Sequence, residues 1–142
     1  MKDLAGKVAV VTGSASGMGF AFANRFAEEG MSVVLADIEA EPLAMAEAAI
    51  KARGARVLAV RTDVLQDGAV EKLADAAFRT FGNVHVVCNN AGVSGTSGKP
   101  VWEAPQEDWD WVFGVNFWGV LRGIRAFVPR MLAAGKPAFI GN

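Results

Sequence analysis

Three glycines, two serines and an acid between residues 13 and 37 have the types and spacing to hold a phosphorylated nucleotide. The run is Gly13-Ser14-Ala15-Ser16-Gly17-Met18-Gly19. Gly13 can take the positive φ of a tight turn. Gly17 has no Cβ, so the backbone there can approach a pyrophosphate. Gly19 lets a following helix lie close against a sheet. Ser14 and Ser16 add hydroxyl donors, and a helix N-terminus adds free N–H groups and the positive end of its dipole. Asp37 stands 18 residues beyond Gly19. A carboxylate there can accept both hydroxyls of an adenosine ribose. In a chain with 16 glycines among 142 residues, three glycines in seven also read as a plain turn. The flanking elements separate the two readings.

Those elements alternate from end to end. Lys7–Thr12 is an apolar, β-branched run, as a strand buried on both faces must be. A helical pattern spans 17 to 29, with Met18, Phe22 and Phe26 at spacing four expected to dock on the sheet. Gly30 stops it. Ser32–Ala36 is a second apolar strand that ends on Asp37. A helix follows, with Pro42 in its first turn, an apolar stripe of Leu43, Ala46 and Ile50, and Gly54 as its stop. Arg56–Arg61 is a third strand. Asp67 is expected to cap a helix running to about Phe81, with Val70, Leu73, Ala77 and Phe81 inward. Val84–Cys88 is a fourth strand and leads into Asn89-Asn90-Ala91-Gly92. A Gly/Ser/Thr-rich stretch, 93 to 100, reads as a mobile loop. Pro105 opens one long helical pattern to about Ala134, with Pro129 expected to kink it or end its regular part. Ala138–Asn142 begins a fifth strand. Strand and helix in this order imply βαβ units and a parallel sheet.

Composition bounds the function. At 142 residues, 52% of them hydrophobic, this is one domain with enough apolar content for a core. The net charge is −1 with both signs interspersed, so neither a nucleic-acid surface nor an anionic-membrane surface is indicated. The single cysteine, Cys88, excludes an internal disulfide and fits a reducing compartment, so a cytoplasmic location is expected. The charged start lacks the apolar stretch of a signal peptide, and no apolar run reaches about 18 residues. His85 reads as a strand-core or sheet-end residue and Cys88 as a small buried apolar group. Trp109, Trp111, Phe113, Phe117 and Trp118 read as packing.

Taken together, the residues resemble the short-chain dehydrogenases/reductases. Thr12-Gly13-x-x-x-Gly17-x-Gly19, Asp37, Asp63-Val64, Asn89-Asn90-Ala91-Gly92 and Val115-Asn116 occur in that family's order and spacing, across the whole chain. The resemblance implies an α/β, Rossmann-type doubly wound parallel sheet of order 3-2-1-4-5-6-7, here truncated after the fifth strand. Residues 1–142 would then be a dinucleotide-binding domain incomplete at its C-terminal end. It implies that Gly13, Ser14, Ser16, Gly17, Met18 and Gly19 form the pyrophosphate loop, and that Asp37 and Ile38 recognise the ribose. Asp63 and Val64 would read the adenine edge. Asn90, Ala91 and Gly92 would flank the cofactor ribose, while Thr12 and Asn89 steady the sheet. Asn116 would be the catalytic asparagine, holding a water in a proton relay. Plainer readings stand beside these: Asp63 as a helix-entry residue, and Asn89-Asn90 as a turn. No metal site is expected.

The implied activity is hydride transfer between NAD(H) and a small alcohol or ketone. NADP is disfavoured because Asp37 would face its 2′-phosphate, Ile38 supplies no cation, and residues 14 to 16 contain no Lys or Arg. The family's chemistry also needs a serine after the fifth strand and a Tyr-x-x-x-Lys pair. This chain has no tyrosine at all. Of the four catalytic positions only Asn116 is present. The chain is therefore expected to be the cofactor half of an enzyme, inactive alone, from a homo-oligomeric parent. The competing expectations are a non-catalytic nucleotide-binding module and an interaction protein that assembles through its open sheet edge.

Overall fold

The computed structural model describes residues 3–95 and 100–142. The mobile-loop expectation over 93–100 falls partly on residues 96–99, which lie outside the described residues. Five strands, β1 (Val8–Thr12), β2 (Ser32–Asp37), β3 (Val57–Arg61), β4 (Val86–Cys88) and β5 (Phe139–Gly141), form one sheet. Its order is β3-β2-β1-β4-β5, and every pairing is parallel. This is the doubly wound arrangement expected from the alternating pattern. β1 is wholly buried, which is why it reads as a continuous apolar run rather than an alternating one.

Helices cover both faces. α1 (Gly17–Glu28) and α2 (Ala40–Lys51) pack on one face against Val11, Val33 and Leu35. α3 (Ala69–Phe81) and α5 (Val120–Ala133) pack on the other against Val10, Val34 and Val87. Connections from β1 to β3 run outward in one direction. The chain then returns across the sheet through α3 to β4, beside β1. The strand order reverses there, and such a reversal opens a crevice beyond the C-terminal ends of the strands.

Several local expectations needed the structure to correct them. α1 does not bury Met18, Phe22 and Phe26 together. Met18 is 73% exposed and Phe22 is exposed as well. The face against the sheet is instead Gly19 and Ala23, flanked by Phe20, Phe26 and Ala27. Small residues sit at the closest approach of helix and sheet, so the large apolar residues lie to either side. Asp67 does not cap α3. The N-cap is Gly68, with φ of +76° and no side-chain cap bond, and the Asp67 carboxylate faces Arg122 at 3.0 Å.

The long helix expected from 105 to 134 has an insertion. α4 (Gln106–Phe113) passes into a π-helical segment, Gly114–Gly119, before α5 begins. Glycines at both ends of that segment allow close approach to the turn after β3. A Cβ on Gly114 would lie 2.5 Å from Leu65 Cδ2, and one on Gly119 would lie 3.0 Å from Val64 Cγ2. α5 does not end at Pro129 but runs on to Ala133. β4 is shorter than the expected 84–88, and His85 sits at its entrance. The His85 N–H donates to Val8 O at 2.9 Å, its carbonyl accepts from Phe139 N–H at 2.8 Å, and its Nδ1 accepts from Val8 N–H at 3.1 Å. Of the two expectations, strand core or sheet end, the structure gives His85 the second, joining β1, β4 and β5.

Candidate functional site

The C-terminal ends of β1, β2, β3 and β4 converge on one cleft of about 530 Å³, within the range of small-molecule sites. The glycine-rich turn supplies Gly13, Ser16, Met18 and Gly19 to its wall, and the end of β2 supplies Asp37 and Ile38. The turn after β3 supplies Asp63 and Val64, and the turn after β4 supplies Asn90, Ala91 and Gly92. Residues as far apart in sequence as Gly13 and Gly92 are therefore gathered in one place. Ser14 and Gly17 are not in that wall.

The turn is built by contacts that admit no other residue. Gly13 has φ of +64°, and a Cβ there would meet Ala91 Cα at 2.8 Å. At Gly19 a Cβ would lie 2.0 Å from the Gly13 carbonyl oxygen. The Asn90 side chain completes the turn by donating from Nδ2 to the carbonyls of Thr12 and Gly13, at 3.0 and 3.1 Å. Thr12 Oγ1 in turn accepts from the Asn90 and Ala91 N–H groups, each at 3.0 Å. The β1 and β4 turns are thus locked by reciprocal side chain–backbone bonds.

Ser14 is fully buried. Its hydroxyl accepts from Ala36 N–H at 2.9 Å and donates to Ala36 O at 3.3 Å. The structure gives it the task of tying the turn to β2. Ser16 differs: it occupies the N-cap of α1 without any side-chain bond to the helix end, and the first turn carries no acidic residue. The dipole and N–H groups of α1 thus face the cleft with no carboxylate of their own helix against them.

Asp37 Oδ2 accepts from Ala15 N–H at 2.9 Å, and its Oδ1 accepts from Glu39 N–H at 3.1 Å. A carboxylate has about four lone-pair sites, so acceptor capacity remains toward the cleft. Asp63 Oδ1 accepts from Leu65 N–H at 2.9 Å, which shapes the turn that presents Val64. Asp63 thus shapes the turn and lines the cleft, but it is not a helix-entry residue, because α3 begins only at Ala69 with Gly68 as its N-cap. Arg122 of α5 reaches the same turn and donates to Val64 O at 3.1 Å.

Asn116 lies outside the cleft wall. It sits in the π segment, and both ends of its amide are held by one residue. Nδ2 donates to Val93 O and Oδ1 accepts from Val93 N–H, each at 2.8 Å. Asn89 donates from Nδ2 to Asn142 Oδ1 at 2.8 Å, and α5 passes so near that a Cβ on Gly123 would lie 2.1 Å from Asn89 Oδ1. Burial pushes the Cys88 thiol up, which keeps it protonated near neutral pH.

Trp111, Val115, Thr62, Leu65 and Glu39 also line the cleft and were not anticipated. On sequence Trp111 reads as packing. Nothing in its local pattern marks it, because only the way α4 crosses the cleft brings it there.

The residues present fit a dinucleotide. The turn is open to a backbone-bound pyrophosphate, with nothing within 4 Å of where a Gly17 Cβ would stand. A carboxylate waits at the end of β2, and a polar turn waits at the end of β3. Fold and cleft together define a Rossmann-like domain of the doubly wound class.

The sequence pattern of the short chain dehydrogenases matches residues 7–140, and the chain belongs to that family. It is 49% identical over 134 residues to a 1-deoxy-11-beta-hydroxypentalenate dehydrogenase of Streptomyces exfoliatus, covering 94% of this chain and 49% of that protein. It is 38% identical over 141 residues to a C alpha-dehydrogenase of a Sphingobium species, covering 99% of this chain and 46% of that one. A short chain dehydrogenase/reductase from Burkholderia phymatum, solved in complex with NAD, superposes with a TM-score of 0.94 at 48% identity. That match covers 99% of this chain and 49% of that one. A metagenomic short-chain oxidoreductase solved with NADP superposes at 0.89 and 34% identity, covering 96% and 61%. The chain spans about half the length of the curated relatives it matches. No helix among the described residues is long and apolar enough to cross a membrane.

Proposed function

We propose that these residues form the cofactor-binding half of an NAD-dependent oxidoreductase acting on a small alcohol or carbonyl substrate in the cytoplasm. The observation that carries this reading is Asp37. Its carboxylate closes the wall of the same cleft as the glycine-rich turn, with acceptor sites left over for the two hydroxyls of an adenosine ribose. NAD supplies hydride transfer when bound. The chain's own residues bind and orient it. The α1 N-terminus and Ser16 take the pyrophosphate, Asp37 and Ile38 the ribose, and Asp63 and the Val64 N–H the adenine. Gly13, Met18, Gly19 and Asn90–Gly92 shape the floor. Asn116 holds the loop at Val93 and is the one member of the family's proton relay present here. With no tyrosine in the chain, these 142 residues alone turn over no substrate.

A 2′-phosphate would place like charge beside Asp37 in a partly shielded cleft, disfavouring NADP by ~1–3 kcal/mol. Trp111 in the cleft wall provides a fluorescence signal for titration with NAD and NADP. Tighter binding of NAD is the expected result. Equal or tighter binding of NADP would overturn the cofactor assignment, and binding of neither would overturn the nucleotide reading as a whole.

A further inference from the structure

One cation near this cleft has no part in the assignment above. Arg61 is the last residue of β3 and pairs in register with Asp37, the last residue of β2. Parallel neighbours in register point to the same face of a sheet, so the arginine and the carboxylate leave the sheet on the same side. The pairing is held on both sides, because Thr62 N–H donates to Asp37 O at 2.8 Å. Arg61 Nε donates to the carbonyl of Ile38 at 3.0 Å, and Ile38 itself lines the cleft. That bond uses one of five guanidinium donors. Among the described residues Arg61 makes no ion pair, and its side chain is exposed. A tethered, unpaired guanidinium therefore stands beside the residue that would hold the ribose 2′-hydroxyl. The other charges lining the cleft are Asp63, whose carboxylate accepts from Leu65 N–H, and Glu39, whose N–H donates to Asp37 Oδ1. No local pattern shows the cation, which is 24 residues from Asp37 in sequence.

We propose that Arg61 is the phosphate-binding residue of the adenosine 2′ position, ready to pair with a 2′-phosphate and masked in the native chain by the Asp37 carboxylate. An arginine fork matches a phosphate bidentately, and this one is already anchored through Nε. The inference rests on the dinucleotide reading of the cleft. It makes cofactor choice a contest between two neighbouring side chains, in which removing one negative charge uncovers a built cation site.

The test is equilibrium binding of ADP-ribose and 2′-phospho-ADP-ribose to the full chain, at one fixed salt concentration. Asp37→Asn keeps an acceptor for Ala15 N–H while removing the charge. It is expected to shift the ratio of the two dissociation constants at least tenfold toward the phosphorylated nucleotide. Asp37→Asn with Arg61→Gln should reverse most of that shift, and Asp37→Asn with Arg61→Lys should retain a good part of it. A ratio that Arg61→Gln leaves unmoved in both the native and the Asp37→Asn background overturns the assignment of Arg61 and leaves the cleft reading standing. Binding of neither nucleotide by the native chain overturns both.

Discussion

The Asn116 side chain grips a single residue, Val93, through both its atoms: its Oδ1 accepts the Val93 N–H and its Nδ2 donates to the Val93 carbonyl, each at 2.8 Å. This pair joins the π segment of the long helix to the strand-β4 turn, so the loop bordering the cleft is fixed from the helix side. π-helical insertions are rare and concentrate at functional sites. Here the insertion turns an asparagine that helix propensity disfavours toward a loop backbone that needs both a donor and an acceptor.

Asn116→Ala removes both bonds. Because the site is exposed, the expected loss of stability is only about 1 kcal/mol, read as a lowered denaturation midpoint. Asn116→Asp should be no better, since a carboxylate can accept from the Val93 N–H but cannot donate to its carbonyl. Full stability in both variants would show that the pair contributes nothing.

Two glycines at the cleft should respond unequally to the same methyl group. Gly19→Ala places a Cβ 2.0 Å from the Gly13 carbonyl, where backbone must move. A loss of about 1–3 kcal/mol and of nucleotide binding is expected. At Gly92 the nearest atom to a Cβ is Asn116 Oδ1 at 3.4 Å, an ordinary contact, so Gly92→Ala should fold with a stability change of about 0.5 kcal/mol or less. Thermal melts of the pair decide the matter.

His85 predicts a pH dependence. Burial, followed by the charges of Lys7 and Lys136, lowers its pKa from the usual value. Its Nδ1 is also an acceptor for Val8 N–H, and protonation would end that. The unfolded chain thus binds this proton more readily than the folded one. The stabilisation is complete above the unfolded histidine pKa of about 6.5 and is lost as pH falls toward the lower folded value. Urea midpoints should decline as pH falls below about 6.5, and less steeply in His85→Asn, which has no titrating ring. Identical slopes would remove His85 as the cause.

Arg122 separates a bond that matters from one that does not. It donates to Val64 O at 3.1 Å and pairs with Asp67 at 3.0 Å. The Asp67 side chain is 97% exposed, and such pairs contribute little. Asp67→Ala should therefore leave stability and nucleotide affinity nearly unchanged. Arg122→Ala frees the turn that presents Val64 and should weaken ADP-ribose binding several-fold. Equal effects of the two substitutions would contradict this.

The aromatic side chains of the long helix form an exposed face. Trp109 stacks on Phe113 at 6.0 Å, Phe117 meets Trp118 edge-on at 5.1 Å, and all four are exposed, as is Trp111. Phe127, further along in α5, is 0% exposed and belongs to the core with α3 and the sheet. Burying roughly 400 Å² of such surface is worth about 10 kcal/mol at ~25 cal/mol/Å², before association losses of similar size. The 142-residue chain should self-associate at micromolar concentration in sedimentation experiments, and Phe117→Ser with Trp118→Ser should shift it toward monomer. A native chain that sediments as a sharp 14.9 kDa species with little dye binding would refute this.

By itself the sequence determined the βαβ frame, the glycine turn and the acid at the end of β2, because these depend on local chemistry. A strand buried on both faces must be apolar throughout, and a turn with positive φ selects glycine. A carboxylate at a strand end is placed by its own strand. Only the tertiary structure decided what faces what. Spacing put Met18 and Phe22 in the core, but close helix–sheet approach reserved that face for Gly19 and Ala23. Ser14 looked like a phosphate donor until β2 supplied Ala36 as its partner. The placing of Arg61 beside Asp37, Arg122 on Val64 and Trp111 in the cleft wall each depends on strand register or helix crossing. Those are properties of the assembled sheet, and no window of a dozen residues contains them.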